Sequence, residues 1–249
     1  MPRRRKTLRA MPISRRIGRF RWDLRALGLL ALFALVVAGW SWVRAHPEHN
    51  PWAPLDLRHP IGMATAGKLA ALRDDPGECR AVLDRSEVGY AALDPAGEGE
   101  CARPDRATLE DYPLAPDTPP VTCAVAAGLE VWRANSVEPA ARALFGSDVA
   151  RIEHLGAFSC RRMYGDADAP WSEHATGNAI DIAGFVLEDG TRISVLGDWA
   201  GEDAKARFLR AVREGACDVF ATVLSPDYNA AHADHFHLDQ GGSWTGACQ

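Results

Sequence analysis

The sequence predicts an α+β protein: a small antiparallel sheet flanked by helices, placed after one N-terminal transmembrane helix. Three observations carry that expectation. Ala26 to Val43 (ALGLLALFALVVAGWSWV) is an uncharged apolar run. Residues 178–196 read as a hairpin turning at Asp189-Gly190, and residues 201–215 have the apolar spacing of an amphipathic helix.

The apolar run comes first in the chain. As a helix it spans roughly 27 Å, close to the hydrocarbon thickness of a bilayer. Trp40 and Trp42 stand near its C-terminal end, where indoles favour the interface. Residues 1–25 hold ten of the 28 basic residues and a single acid, Asp23. Such a tail stays in the cytoplasm, so everything after the run is exported. A cleaved signal peptide would export the same domain, and Val43-Arg44-Ala45 is a weak cleavage candidate. The long basic flank favours an uncleaved anchor. The expected division is therefore a basic cytoplasmic tail (1–25), an anchor (26–43), a Pro- and His-rich linker (44–64) and a folded domain (65–249). His46, His49 and His59 read as solvated linker residues.

Residues 26–249 carry 18 basic and 32 acidic side chains, a net charge of −14. That balance excludes a nucleic-acid partner, which needs clustered Lys and Arg. Six cysteines, Cys79, Cys101, Cys123, Cys160, Cys217 and Cys248, all follow the apolar run, and no two form a C-x-x-C pair. In an oxidising compartment they read as three disulfides. Pairing of sequence neighbours (Cys79–Cys101, Cys123–Cys160, Cys217–Cys248) is favoured, although six cysteines allow 15 arrangements.

Within the domain, Thr65 to Asp74 reads as a short helix and 79–93 as mixed strand and turn. Residues 94–120 form a long acidic loop pinned by Cys101. Thr122 caps a helix from Cys123 to about Ala134, and Val137 to Leu144 adds a further turn or two. Val149 to Arg162 alternates like a strand. Asn178 to Leu187 and Thr191 to Leu196 flank the hairpin turn. Phe208, Leu209 and Val212 form the apolar face of the helix that stops at Gly215. Val219 to Leu224 and His235 to Asp239 are β-rich.

Four of the eight histidines fall in two short segments, Ser172-Glu173-His174-Ala175-Thr176-Gly177-Asn178-Ala179-Ile180-Asp181 and His232-Ala233-Asp234-His235-Phe236-His237-Leu238-Asp239. Zinc takes three or four N, O or S ligands, and a catalytic site keeps one position open. His174, Asp181 and one histidine of the second segment would make such a set. Residues two apart on a strand face the same way, so His235 and His237 can share a pocket. A turn at Gly177 can bring Asp181 back beside His174. The apolar neighbours Ile180, Ile182 and Phe236 imply burial, and a buried carboxylate among imidazoles needs a cation.

SEHATGNAID resembles the S-x-H-x-x-G-x-A-x-D signature, and DHFHLD the H-x-H signature, of zinc peptidases that act on peptidoglycan. These include D-alanyl-D-alanine carboxypeptidases, murein endopeptidases and hedgehog-like domains. SCRRMYG, SEHATGNAIDIAGF, FLRAVREGACDVFATVLSPDYN and HADHFHLD bring residues 65–249 closer still to the bacterial extensin-like C-terminal family. The resemblance implies a hedgehog or D-Ala-D-Ala-peptidase-like fold and a zinc ion on His174, Asp181 and His237. It implies His235 as the catalytic assistant and Arg161 as the binder of a substrate carbonyl or carboxylate. Some relatives carry Glu where this chain has Asp234, so either Asp234 or His235 handles the proton. Ser172 and Asp239 are candidates to orient the ligands. The expected function is a membrane-anchored periplasmic zinc hydrolase acting on peptidoglycan peptides. The alternative is a metal-stabilised module that binds the wall or a partner without cutting.

Overall fold

The computed structural model describes residues 14–241 and 247–249. Arg3, Arg4, Arg5, Lys6 and Arg9 of the expected basic tail lie outside the described residues. The chain divides into an N-terminal unit that ends at His46 and a body that begins at Pro47.

The first unit is one helix, α1 (Ser14–Ala45). Its stretch Arg21–Ala45 is long and apolar enough to cross a membrane, and near the N-terminus the same features fit a signal sequence. Leu27, Leu30, Phe33 and Leu35 are all exposed.

The body runs α2 (Thr65–Ala71), α3 (Pro76–Arg85), β1 (Tyr90–Ala92), β2 (Ala107–Leu109), β3 (Leu114–Ala115), α4 (Cys123–Trp132), α5 (Glu138–Phe145) and β4 (Val149–Gly156). It continues with β5 (Ala179–Leu187), β6 (Arg192–Ser194), α6 (Val195–Asp198), α7 (Ala204–Cys217), β7 (Thr222–Leu224), β8 (Phe236–Asp239) and β9 (Ala247–Cys248). It is a mixed α+β arrangement. The larger sheet has the order β3-β4-β5-β8-β7-β9, with β6 also paired to β5. The sheet's centre is antiparallel, as the hairpin pattern predicted. Its margins are not: β3 runs parallel to β4, and β9 parallel to β7. Both marginal strands have two residues, too few for alternation to show in the sequence.

Alternation along β5 and β8 decides what faces the core. Ile180, Ile182, Phe236 and Leu238 are fully buried, while the intervening Asp181 and His237 stay partly accessible. The helices cover the apolar face. Phe185 of β5 packs edge-on against Phe208 of α7 at 5.0 Å, and lies 6.0 Å from Trp132 of α4. The Trp132 indole N–H donates to the Val212 carbonyl at 2.7 Å, so even its polar atom is satisfied in the core. Trp132→Ala is expected to cost about 3–5 kcal/mol, read as a lowered denaturation midpoint.

Four expectations need correction. Residues 94–120 are not one long loop: β2 and β3 fall within them, and Arg103 bridges back to Ala96. Residues 79–93 are mixed strand and turn only in their second half: 79–85 belong to α3, and β1 follows after a turn. Asp75 caps that helix by accepting from the Glu78 N–H, Pro76 opens it, and Cys79, Val82 and Leu83 bury along one face. The stretch 47–64 is not a free tether. Leu55 and Leu57 are buried, and the Leu57 N–H donates to Ser86 Oγ at 2.9 Å. Two alternate apolar residues were enough to dock an otherwise polar segment. Finally, the cysteines pair as Cys79–Cys123, Cys101–Cys160 and Cys217–Cys248. Neighbour pairing holds for the last alone. Cys79 on α3 instead meets the start of α4, and the loop carrying Cys101 reaches across to the end of the β4 connection.

Candidate metal centre

Asp181 and His237 are direct partners across the β5–β8 pair. Opposed residues in an antiparallel ladder project to the same side with Cβ atoms about 5 Å apart. Backbone register alone therefore brings a carboxylate and an imidazole together, on the face opposite the core. His174 arrives from the turn Glu173–Thr176 that precedes β5. Ser172 caps this turn by accepting from the His174 N–H, and Gly177 ends it at φ +72°. The Gly177 N–H closes back on the His174 carbonyl. An L side chain at such a φ costs about 1–2 kcal/mol. Gly177→Ala, which otherwise has room for its Cβ, should lower the melting temperature by a matching few degrees.

The three side chains converge. His174 Nε2 lies 3.1 Å from Asp181 Oδ1 and 3.1 Å from His237 Nδ1, and His237 Nδ1 lies 3.0 Å from Asp181 Oδ1. These are atoms that could hold one metal ion. The donor set can be read further from where the ring protons go. His174 Nδ1 faces the Ala157 carbonyl at 3.1 Å, and His237 Nε2 faces the Asp239 carboxylate at 2.9 Å. Both partners are pure acceptors, so each ring must donate there. The remaining nitrogens, His174 Nε2 and His237 Nδ1, therefore present lone pairs to a carboxylate oxygen. Three lone pairs about 3 Å apart, all largely buried, are stable only with a positive charge among them.

Without a metal, a proton takes that part. Burial pushes His237 down, but hydrogen bonds to Asp181 and Asp239 outweigh it and raise the pKa to about 9. Burial likewise pushes Asp181 up, and the facing imidazoles of His174 and His237 outweigh it and hold the carboxyl well below the usual range. A folded-state pKa raised from 6.5 stabilises the fold fully below 6.5, and the gain is lost as pH rises through about 9. The metal-free protein is thus expected to lose melting temperature between pH 6.5 and 9. His237→Asn should flatten that slope in thermal scans run with chelator.

A cavity of about 360 Å³ opens onto the triad. That geometry is carried by a recognisable sequence unit: residues 77–249 match the family described as extensin-like protein C-terminus. The chain belongs to the extensin-like C-terminal family. No curated protein and no solved structure matches it.

The extensin-like domain places the other expected residues unequally. His235 lines the cavity, with Nε2 3.6 Å from Asp181 Oδ1 and Nδ1 2.8 Å from Asp234 Oδ1. Asp234 itself is half exposed and stands behind that imidazole, outside the cavity lining. Arg161 lines the cavity and has no acidic partner among the described residues. Asp239 orients His237, and Ser172 shapes the turn that carries His174. His46, His49 and His59 do not line the cavity.

The resemblance gives His232 no role of its own, yet the structure sets it in the cavity, its ring 5.2 Å from that of His235. Burial first, then the neighbouring His235 and His237, push its pKa down to about 4. The spacing H-x-x-H-x-H carried the signal. Tyr164 and Trp171 also line the cavity; Tyr164 lies in the stretch SCRRMYG, and Trp171 had no signal.

Proposed function

We propose that the extensin-like domain is a zinc-dependent hydrolase that cuts amide bonds in the peptides of peptidoglycan. The observation that carries this reading is the triad of lone pairs on His174, Asp181 and His237, whose ring protons are committed elsewhere. Ligands about 2.0–2.1 Å from zinc at tetrahedral angles sit roughly 3.3 Å apart, a few tenths of an ångström from the separations here. Zinc would be held by those three residues. When bound, it supplies Lewis acidity, polarising a carbonyl and making water a nucleophile at neutral pH.

The remaining work belongs to the chain. Asp234 accepts from His235 Nδ1 and leaves Nε2 as the base that faces the cavity, so His235 rather than Asp234 moves the proton to the departing amine. Arg161, a cation without an acid partner, binds the substrate's carbonyl or carboxylate. Asp239 and the Ala157 carbonyl fix the ligand tautomers. Under this reading the body has the hedgehog or D-Ala-D-Ala-peptidase arrangement. Helix α1 is then an uncleaved inner-membrane anchor, with its basic end in the cytoplasm and the domain in the periplasm. Three disulfides suit that compartment.

The competing reading, a wall-binding module without turnover, drew support from the acidic loop 94–120 as a possible cover for the groove. No residue of that loop lines the cavity. Metal analysis of the detergent-purified protein, followed by muropeptide digestion, separates the two. One zinc per chain with cleavage of muropeptides is the expected result. Absence of zinc ends both the metal assignment and the hydrolase, and zinc without turnover leaves the binding module.

A further inference from the structure

Asn229 stands at the start of the turn Ala230–His232 and makes three hydrogen bonds with its side chain. The Ala231 N–H approaches Asn229 Oδ1 at 3.0 Å. A backbone N–H can only donate, so this contact fixes which end of the amide is oxygen. The same Oδ1 lies 2.8 Å from His232 Nδ1. That nitrogen must therefore carry the proton, and the neutral ring's lone pair is on Nε2. The other end of the amide donates from Asn229 Nδ2 to the Tyr164 hydroxyl, 3.2 Å away on a separate loop that also lines the cavity. Tyr164 holds that place from a left-handed backbone conformation, φ +56°, which is unusual for a bulky residue and marks a position held by its surroundings. The His232 ring is held between Tyr228, 5.5 Å away, and His235. Its Nε2 has no partner among the described residues, and it lies outside the metal-ligand cluster.

We infer that His232 Nε2 is a substrate acceptor, taking a hydrogen bond from an amide N–H of the bound peptide, and that Asn229, braced by Tyr164, is the positioning residue that fixes its tautomer. The inference rests on the hydrolase reading for its substrate class, a peptide backbone. It differs from that reading in its residues. The three side chains come from two separate loops, so the hydrogen-bonded chain also ties those loops together.

The test uses the full-length protein in detergent, zinc loaded, with purified muropeptides. Asn229→Leu keeps the side chain's bulk and removes both hydrogen-bonding ends. It is expected to raise KM about 5–10-fold, the worth of one lost neutral hydrogen bond, with kcat within about twofold and zinc content unchanged. Tyr164→Phe should give a smaller rise of the same kind. Imidazole nitrogen NMR is expected to show His232 as the Nδ1–H tautomer in the wild type and as a mixture in Asn229→Leu. A tautomer change with KM unmoved overturns the assignment, and so does loss of zinc in Asn229→Leu, which would make His232 a ligand. A wild type without turnover sinks the hydrolase alone. In that case a shift of the His232 Nε2 resonance on adding muropeptides supports the acceptor role, and its absence overturns it. Should Asn229→Leu fail to fold, the Tyr164→Phe KM and the wild-type NMR give the same decision.

Discussion

His174→Ala is expected to take the protein from one bound zinc per chain to none and to abolish muropeptide cleavage. The loss should be near complete because each of the three donors supplies one of only three protein ligands in the cluster. Asp239→Ala makes a useful contrast, since it removes only the acceptor of the His237 Nε2–H. Loss of an orienting partner of this kind costs about 10–100-fold in metal affinity, so that variant should still fill with zinc at high concentration. Stability gives a second readout. Zinc at 100 times its dissociation constant stabilises the native state by about 2.7 kcal/mol, so added zinc should raise the wild-type melting temperature. His174→Ala should not respond. Without metal, that variant should melt below the chelated wild type, because the buried Ala157 carbonyl loses its donor. A His174→Ala protein that binds zinc stoichiometrically would mean that the ion sits elsewhere.

The site was more legible than the frame that holds it. Two short apolar strands, one interrupted by Asp181 and the other carrying polar residues at His235, His237 and Asp239, set Asp181 and His237 apart from the buried face of β5 and β8. Register then did the rest, because period-2 alternation leaves a buried strand little freedom to slip. The turn at Gly177 was readable for the same local reason: a single glycine between a capped turn and a strand. His232 was visible only as part of H-x-x-H-x-H, since its role depends on Asn229 and on Tyr164, 65 residues away. Long-range partners of that kind leave no periodicity in either segment. The same holds for β3 and β9, which pair through contacts made by two residues each. The helix over 76–85 is different, because its signals were local and present in Asp75, Pro76 and Glu78. The disulfides failed for the long-range reason again: Cys79 pairs with a residue brought close only when α3 packs on α4.

That misread pair marks the position with the largest structural effect. Cys79 and Cys123 are both fully buried, and their disulfide closes a chain segment with a sequence separation of 44. A loop of this length, closed in the unfolded chain, corresponds to about 4 kcal/mol of chain entropy. The double variant Cys79→Ala with Cys123→Ala also removes two sulfurs from the packed contact between α3 and α4, a deletion the surroundings fill only in part. The summed loss approaches the whole stability of a typical domain, about 5–15 kcal/mol. The variant is therefore expected to unfold near physiological temperature or to need zinc to stay folded. Cys217 and Cys248 close a shorter span, with separation 31, and Cys248 is exposed. Its removal leaves no buried gap, so the matching double alanine variant should cost less and leave the midpoint of chemical denaturation closer to wild type. The order of the two midpoints is the diagnostic. α4 is anchored at Cys123 on one end and by Trp132 on the other, and the sheet that carries Asp181 packs against it through Phe185. Loosening the Cys79 end should thus weaken zinc binding as the fold weakens. Loosening the Cys248 end touches only the marginal strand β9, and zinc stoichiometry should survive it.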